Sequence, residues 1–292
     1  MLNESYFFLN RWIRDPNGMY HPYVFNFEMK MFDHNYSQLT QKYMEKYWWS
    51  SLIYAFVYVL LVFYGRKLMS SHVTGYNLRF YLIIWNCTLA AFSIWGTVRS
   101  LPEMIYSLSQ HGLHYSICDK SYKYGVTGYW AWLFMLSKTP EMIDTLFIVL
   151  RKQKLMFLHW FHHASVLIYC FYSYGYFQSS GRWFVCMNFI VHSLMYSYYA
   201  LRALQIRVPL LIQQTITLLQ LIQMALGCFV NIKAYEYKSN RLKCSVSYEN
   251  IFWSISLYSA YLILFIHFFY VSYLTNNRKP KEDNEQQQKK IK

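Results

Sequence analysis

Seven stretches of this chain are apolar for long enough to cross a bilayer, and that repetition confines the fold more than any single residue does. They run from about 48 to 64, 78 to 98, 128 to 150, 156 to 177, 183 to 204, 208 to 232 and 250 to 274. Each approaches the ~20 residues that ~30 Å of hydrocarbon demands of a helix. Backbone groups in lipid must be satisfied within their own segment, so the chain is expected to be an all-α membrane protein with seven transmembrane helices. Its mean hydropathy of +0.09 hides this, because 30 Tyr and 10 Trp count as polar although they suit bilayer interfaces and apolar tunnels. Leu101 to Leu108 can extend the second helix beyond the bilayer, which leaves the segment 100 to 125 without a clear assignment.

The division that follows is a luminal N-terminal segment, 1 to 47, a seven-helix domain, 48 to 274, and a disordered tail, 275 to 292. The N-terminal segment lacks the basic start and apolar core of a cleaved signal, so the first span is expected to be an uncleaved anchor. Two sequons, at Asn3 and Asn35, favour a luminal N-terminus, and an odd number of spans then makes the C-terminus cytosolic. The tail ends Lys289-Lys290-Ile291-Lys292, which resembles the dilysine retrieval signal of endoplasmic-reticulum membrane proteins and reads equally well as a solvated basic end. The formal charge of +14 is directed to lipid headgroups or a phosphorylated substrate rather than to nucleic acid, because the basic residues fall in short loops and the tail. Of six cysteines, Cys87, Cys170, Cys186 and Cys228 lie in spans, whereas Cys118 and Cys244 fall in loops on the luminal side and are expected to form a disulfide.

Ionisable groups inside a bilayer cost about 2.5 to 3.5 kcal/mol each at a helix centre, so they are functional candidates. Lys138, Glu141 and Asp144 are spaced by three, with Thr145 returning beside Lys138, and fan across one side of a helix. A purely structural ion pair between Lys138 and Glu141 is the simpler reading of two of them. After a basic turn, Arg151 to Lys154, the next span carries His159, His162 and His163 on one face at similar depth. Three imidazoles opposite two carboxylates suit either metal ligation or nucleophilic and acid-base chemistry. The fifth span adds a stripe of Asn188, His192, Tyr196 and Tyr199, and the sixth adds Gln213, Thr217 and Gln220, with Gln223 at its edge. Together they describe an interior polar chamber. His111, His114 and His267 have no such company.

These residues also carry a resemblance. K-x-x-E-x-x-D-T from Lys138, H-x-x-H-H from His159, H-x-x-M-Y-x-Y-Y from His192 and T-x-x-Q-x-x-Q from Thr217 are similar, in order and without departure, to the motifs of the ELO-type very-long-chain fatty-acid elongases. Trp160 after the first histidine resembles the branch acting on saturated and monounsaturated long-chain acids. The resemblance implies six of seven helices closing an inverted-repeat barrel around an acyl tunnel. It also implies condensation of an acyl-CoA with malonyl-CoA to a 3-ketoacyl-CoA, with release of carbon dioxide and CoA and without a further cofactor or metal. Product would pass to a ketoacyl-CoA reductase, a dehydratase and an enoyl reductase in the endoplasmic reticulum; a homodimer is neither required nor excluded by the sequence. By the same resemblance His162 carries the acyl group, His192 binds the malonyl unit with Asn188 and Tyr196 as donors, and Glu141 and Asp144 orient imidazoles. Lys138, Tyr199 and Gln220 complete the substrate site, and Arg151, Lys152, Lys154, Arg202 and Arg207 offer charge for CoA phosphates at the mouth. A di-iron desaturase or hydroxylase also uses H-x-x-H-H, but such enzymes need about eight clustered histidines. A seven-helix receptor or transporter would leave the hairpin charges without a reason.

Overall fold

The computed structural model describes residues 13–14, 19–21 and 23–275. Asn3 and the dilysine-like tail, including Lys289 and Lys290, lie outside the described residues. A short antiparallel pair, β1 (Ile13–Arg14) with β2 (Tyr20–His21), is followed by a 3-10 turn at Glu28–Met31. Nine α-helices then succeed one another among the described residues: α1 His34–Tyr47, α2 Ser50–Ser70, α3 Arg79–Cys118, α4 Gly125–Ser137, α5 Ile143–Leu150, α6 Phe157–Gly175, α7 Gly181–Ala203, α8 Leu210–Ser239 and α9 Tyr248–Phe269, which runs into a π-helical turn at Tyr270–Thr275. Asp33 caps α1 by accepting from the Asn35 N–H, and Ser247 caps α9 by accepting from the Asn250 N–H.

Five of these helices are long and apolar enough to cross a membrane: α2, α3, α7, α8, and α9 with its π-turn. The two other expected spans depart from simple helices. The stretch 128 to 150 is broken between α4 and α5 by a 3-10 turn at Pro140–Met142. Pro140 lacks a backbone donor, which removes one i to i−4 bond and tightens the ladder to 3-10 pairing, although Lys138, Thr139, Met142 and Ile143 all keep helical φ and ψ. The stretch 156 to 177 is α6, 19 residues whose three histidines lower its hydropathy. The second span is longer than expected. α3 runs for 40 residues and carries the chain through the doubtful segment to Cys118, with a break at Gly112, whose φ of 80° and ψ of 177° belong to a region open to glycine alone.

The helix α3 lies along α7, α8 along α9, and α2 on α5 and α6. Close approach of α8 and α9 depends on Gly227, where a Cβ would come within 2.1 Å of the Tyr258 ring. Across the break, α3 is tied to α7 by Arg182, which donates to both oxygens of Glu103 at 3.1 and 3.0 Å in a buried ion pair before it and to the carbonyls of Tyr115 and Ser116 after it, as well as to the hydroxyl of Ser121. Beside it the structure joins Cys118 and Cys244 in the disulfide expected from the sequence, linking the end of α3 to the α8–α9 connection across 126 positions. A cross-link of that span restricts the unfolded chain by an amount typically worth about 2 to 4 kcal/mol. Cys118→Ser and Cys244→Ser are each expected to abolish the gel-mobility shift on reduction and to lower the thermal midpoint; a persistent shift in either variant would contradict the pairing.

Lys123, in the connection between α3 and α4, reaches the Gln41 carboxamide of α1. Burial, and then the neighbouring Lys120 charge, push its amine below the ordinary lysine value.

Candidate active site

The three charges flank and occupy the 3-10 turn between α4 and α5. Lys138 caps α4, Glu141 sits in the 3-10 turn and Asp144 in the first turn of α5. Lys138 is only 3% exposed and donates to Glu141 Oε1 and Oε2 at 2.7 and 2.9 Å and to Asn188 Oδ1 at 3.2 Å. Ser137 donates to the same Glu141 carboxylate at 2.7 Å. The Lys138 ammonium also stands 4.1 Å from the centre of the Phe134 ring. Asp144 accepts from Trp85 Nε1 at 2.6 Å and from Tyr196 Oη at 2.8 Å.

Neither carboxylate therefore orients an imidazole directly, which corrects that expectation. The physical reason is competition: nearer donors, Lys138 and Ser137 for Glu141 and an indole and a phenol for Asp144, occupy their oxygens. Control of a histidine arises by a longer route. Because Lys138 donates to Asn188 Oδ1, the Asn188 amide must turn its Nδ2 towards His192, and it donates to His192 Nε2 at 3.0 Å. An accepting Nε2 leaves the proton on Nδ1. His159 is set by another hydroxyl pair, its Nε2 lying 3.0 Å from Thr145 Oγ1, which is 2.7 Å from Tyr58 Oη on α2.

The side chains converge on a cavity of about 140 Å³. His159, His162 and His163 from α6, Asn188, His192, Tyr196 and Tyr199 from α7, Gln220 and Gln223 from α8, and Asp144 from α5 all line it. The ring centres of His159 and His163 are 4.5 Å apart, while His162 stands edge-on to His163 and 4.8 Å from Tyr261. Among the described residues, no side chain hydrogen-bonds either nitrogen of His162. The ring lines the chamber. Lys138 and Glu141 are not part of the wall; they stand behind Asn188. Gln213 and Thr217 are also outside it, Gln213 accepting from Tyr198 and Thr217 lying beside Tyr273.

A wider vestibule of about 450 Å³ shares Asp144, Met156, His159 and Tyr199 with the chamber. Arg151 and Arg202 line it. The other basic candidates do not: Lys152 donates to the His72 carbonyl at 2.5 Å, and Lys154 and Arg207 are exposed on the surface nearby. Asn35 is exposed at the start of α1, while Ser37 of the same sequon is buried.

Sequence spacing missed Trp85, Tyr58 and Tyr261, and also Phe265 and Phe268, which close the chamber from α9. Their only sequence signal was an aromatic residue in an apolar span, which this chain offers everywhere. Among the described residues, no three His, Cys, Asp or Glu side chains converge in a geometry able to hold a metal ion.

These features define a multi-pass helical membrane protein with an imidazole-lined internal chamber that opens on a basic vestibule. The ELO: GNS1/SUR4 family model matches residues 43–281, and the chain belongs to that family. It is 47% identical over 256 residues to very long chain fatty acid elongase 6 of Drosophila melanogaster, covering 86% of this chain and 79% of that one. The human protein of the same name is 44% identical over 239 residues, covering 82% of this chain and 89% of its own. Human very long chain fatty acid elongase 3 is 39% identical over 266 residues, covering 91% and 94%.

Proposed function

We propose that this protein condenses a long-chain acyl-CoA with malonyl-CoA, giving a 3-ketoacyl-CoA, carbon dioxide and CoA. Membership of the elongase family and the relatives named very long chain fatty acid elongase 6 and 3 support the reaction class. The observation that carries the chemistry is the convergence of His162, His192, Asn188 and Tyr196 on one cavity. Family membership does not favour the di-iron reading. Pairwise contacts supply a reason for the barrel: α3 meets α7, α7 meets α8, α8 meets α9, α9 meets α6, α6 meets α4 and α4 returns to α3, a closed ring with α2 outside.

In this reaction a nitrogen of His162 attacks the thioester carbonyl, the C–S bond breaks, and the CoA thiolate leaves and takes up a proton. The acyl group is then held as an acyl-imidazole. Malonyl-CoA loses carbon dioxide, and the enolate oxygen is stabilised by the Nδ1–H of His192, with Asn188 and Tyr196 fixing that ring. The enolate carbon attacks the acyl carbonyl, the C–N bond breaks, and the departing imidazole nitrogen takes up one proton from the medium, which restores neutral His162. No electron leaves or enters the system, so the reaction uses the two CoA thioesters alone. The endoplasmic-reticulum membrane, with the N-terminus luminal and the C-terminus cytosolic, is the setting in which a reductase, a dehydratase and an enoyl reductase would complete the two-carbon extension.

Incubating purified protein with palmitoyl-CoA and labelled malonyl-CoA tests the proposal. Labelled 3-ketoacyl-CoA and carbon dioxide are expected; stoichiometric iron with no condensation product at any chain length would favour oxidative chemistry instead. The vestibule is the route for CoA phosphates, which Arg151 and Arg202 are placed to bind. Arg151→Ala and Arg202→Ala are each expected to raise KM for acyl-CoA on the order of 10-fold, with kcat little changed. Equal effects from Lys154→Ala would place the phosphates elsewhere.

A further inference from the structure

A second cavity, about 50 Å³ and mostly apolar, lies deeper in the molecule. Its walls include Phe134, Tyr169, Cys170, Tyr174, Phe177 and Phe184. On α6 Cys170 stands ~12 Å beyond His162 at ~1.5 Å per residue. An acyl chain attached at His162 and extending away from the vestibule would point its methyl end there. What backs this cavity is the segment ahead of the family match, which begins at residue 43.

Val24 belongs to the same buried cluster as Tyr122, Ala131, Phe134, Phe177 and Val185, all of which line the cavity, and Met29 and Phe32 pack against that cluster. Thr40 of α1 reaches Tyr174 Oη at 3.4 Å, adding a second attachment to the cavity wall. The segment is locked by one carboxylate. Glu28, 0% exposed, accepts from Arg99 Nε and Nη2 at 2.8 and 2.6 Å, from Trp130 Nε1 at 2.8 Å and from the Phe25 N–H at 2.9 Å. Arg99 also donates to the Tyr23 carbonyl at 3.1 Å. Four hydrogen bonds to one buried carboxylate fasten residues 23 to 28 to α3 and α4, and so hold Val24, Met29 and Phe32 in or against the cluster that shares five residues with the cavity wall.

We propose that residues 23 to 33 are a cap that sets the maximum acyl length, with Glu28 as its latch and Met29 as a positioning residue through its packing on the cluster that contains Phe134 and Phe177. The assignment rests on the condensing reaction proposed above. A tunnel end discriminates by whether one more methylene fits, and each is worth about 10- to 200-fold in a tight apolar pocket. The cap supplies a further packed layer on the cluster that contributes to this wall.

Purified wild type, Glu28→Gln and Met29→Ala are compared on saturated primers from lauroyl- to arachidoyl-CoA. Both variants are expected to accept primers about two carbons longer, with kcat/KM for the longest raised on the order of 10-fold and the lauroyl rate unchanged. An unchanged length profile, or a loss shared equally by all primers, would overturn the cap. Alkylation of Cys170 by a maleimide, mapped by peptide mass, needs no turnover and reads the same loosening: a rate on the order of 10-fold faster in both variants is expected, and a rate equal to wild type would overturn it. Wild type that makes no 3-ketoacyl-CoA while the variants still unmask Cys170 would defeat the reaction and leave the cap standing.

Discussion

His162→Ala is expected to lower 3-ketoacyl-CoA formation on the order of 10⁴-fold or more and to remove the acyl label that wild type retains after incubation with acyl-CoA alone. The size follows from the role. A group that forms the covalent intermediate cannot be bypassed by the rest of the site, and loss of such nucleophiles costs factors of this order elsewhere. The neighbours predict a contrast. His159 is held by Thr145 and His163 by its ring contacts with His159 and His162, so their removal disturbs the chamber without deleting the attacking atom. His159→Ala and His163→Ala are expected to retain labelling at reduced rates. Acyl label on the protein in His162→Ala, mapped to another residue, would move the nucleophile elsewhere and leave His162 as a base.

Much of this site was legible because its residues are anomalous. Three histidines, a lysine and two carboxylates stand out in apolar spans, and helical spacing gathers Asn188, His192, Tyr196 and Tyr199 on one side of α7, where the cavity finds them. An expected place on the luminal side was enough to pair Cys118 with Cys244, although Cys118 ends α3 rather than lying in a loop. What could not be read were contacts between elements far apart in sequence. Trp85 and Tyr58 reach Asp144 and Thr145 from α3 and α2, and nothing in their local pattern marks one aromatic residue among many as a hydrogen-bond donor. The α4–α5 break was hidden by the apolar continuity of 128 to 150, although Thr139-Pro140 signalled it. Helical spacing alone put the carboxylates against imidazoles, and it could not show that Lys138, Ser137, Trp85 and Tyr196 would claim their oxygens first. The N-terminal cap escaped for the same reason: Glu28 is an ordinary surface residue until Arg99 and Trp130 are brought to it.

Lys138 separates stability from catalysis within one network. Lys138→Met leaves Glu141 buried with Ser137 as its remaining side-chain donor among the described residues, and stranding a buried charge costs about 3 to 5 kcal/mol. A marked fall in thermal midpoint is therefore expected. The same substitution frees Asn188 Oδ1, so the amide no longer has a reason to present Nδ2 to His192, and the ring loses its fixed tautomer. Misplacing a catalytic group by about 1 Å costs on the order of 100-fold, and the loss should fall on kcat rather than on KM for acyl-CoA. The double variant Lys138→Met/Glu141→Gln removes both charges together. It is expected to regain most of the midpoint, since no uncompensated ion remains, but not the rate, since Asn188 still lacks its donor. Recovery of rate together with stability would show that Lys138 and Glu141 only hold the fold, and that the orientation of His192 is set by the packing of α7 alone.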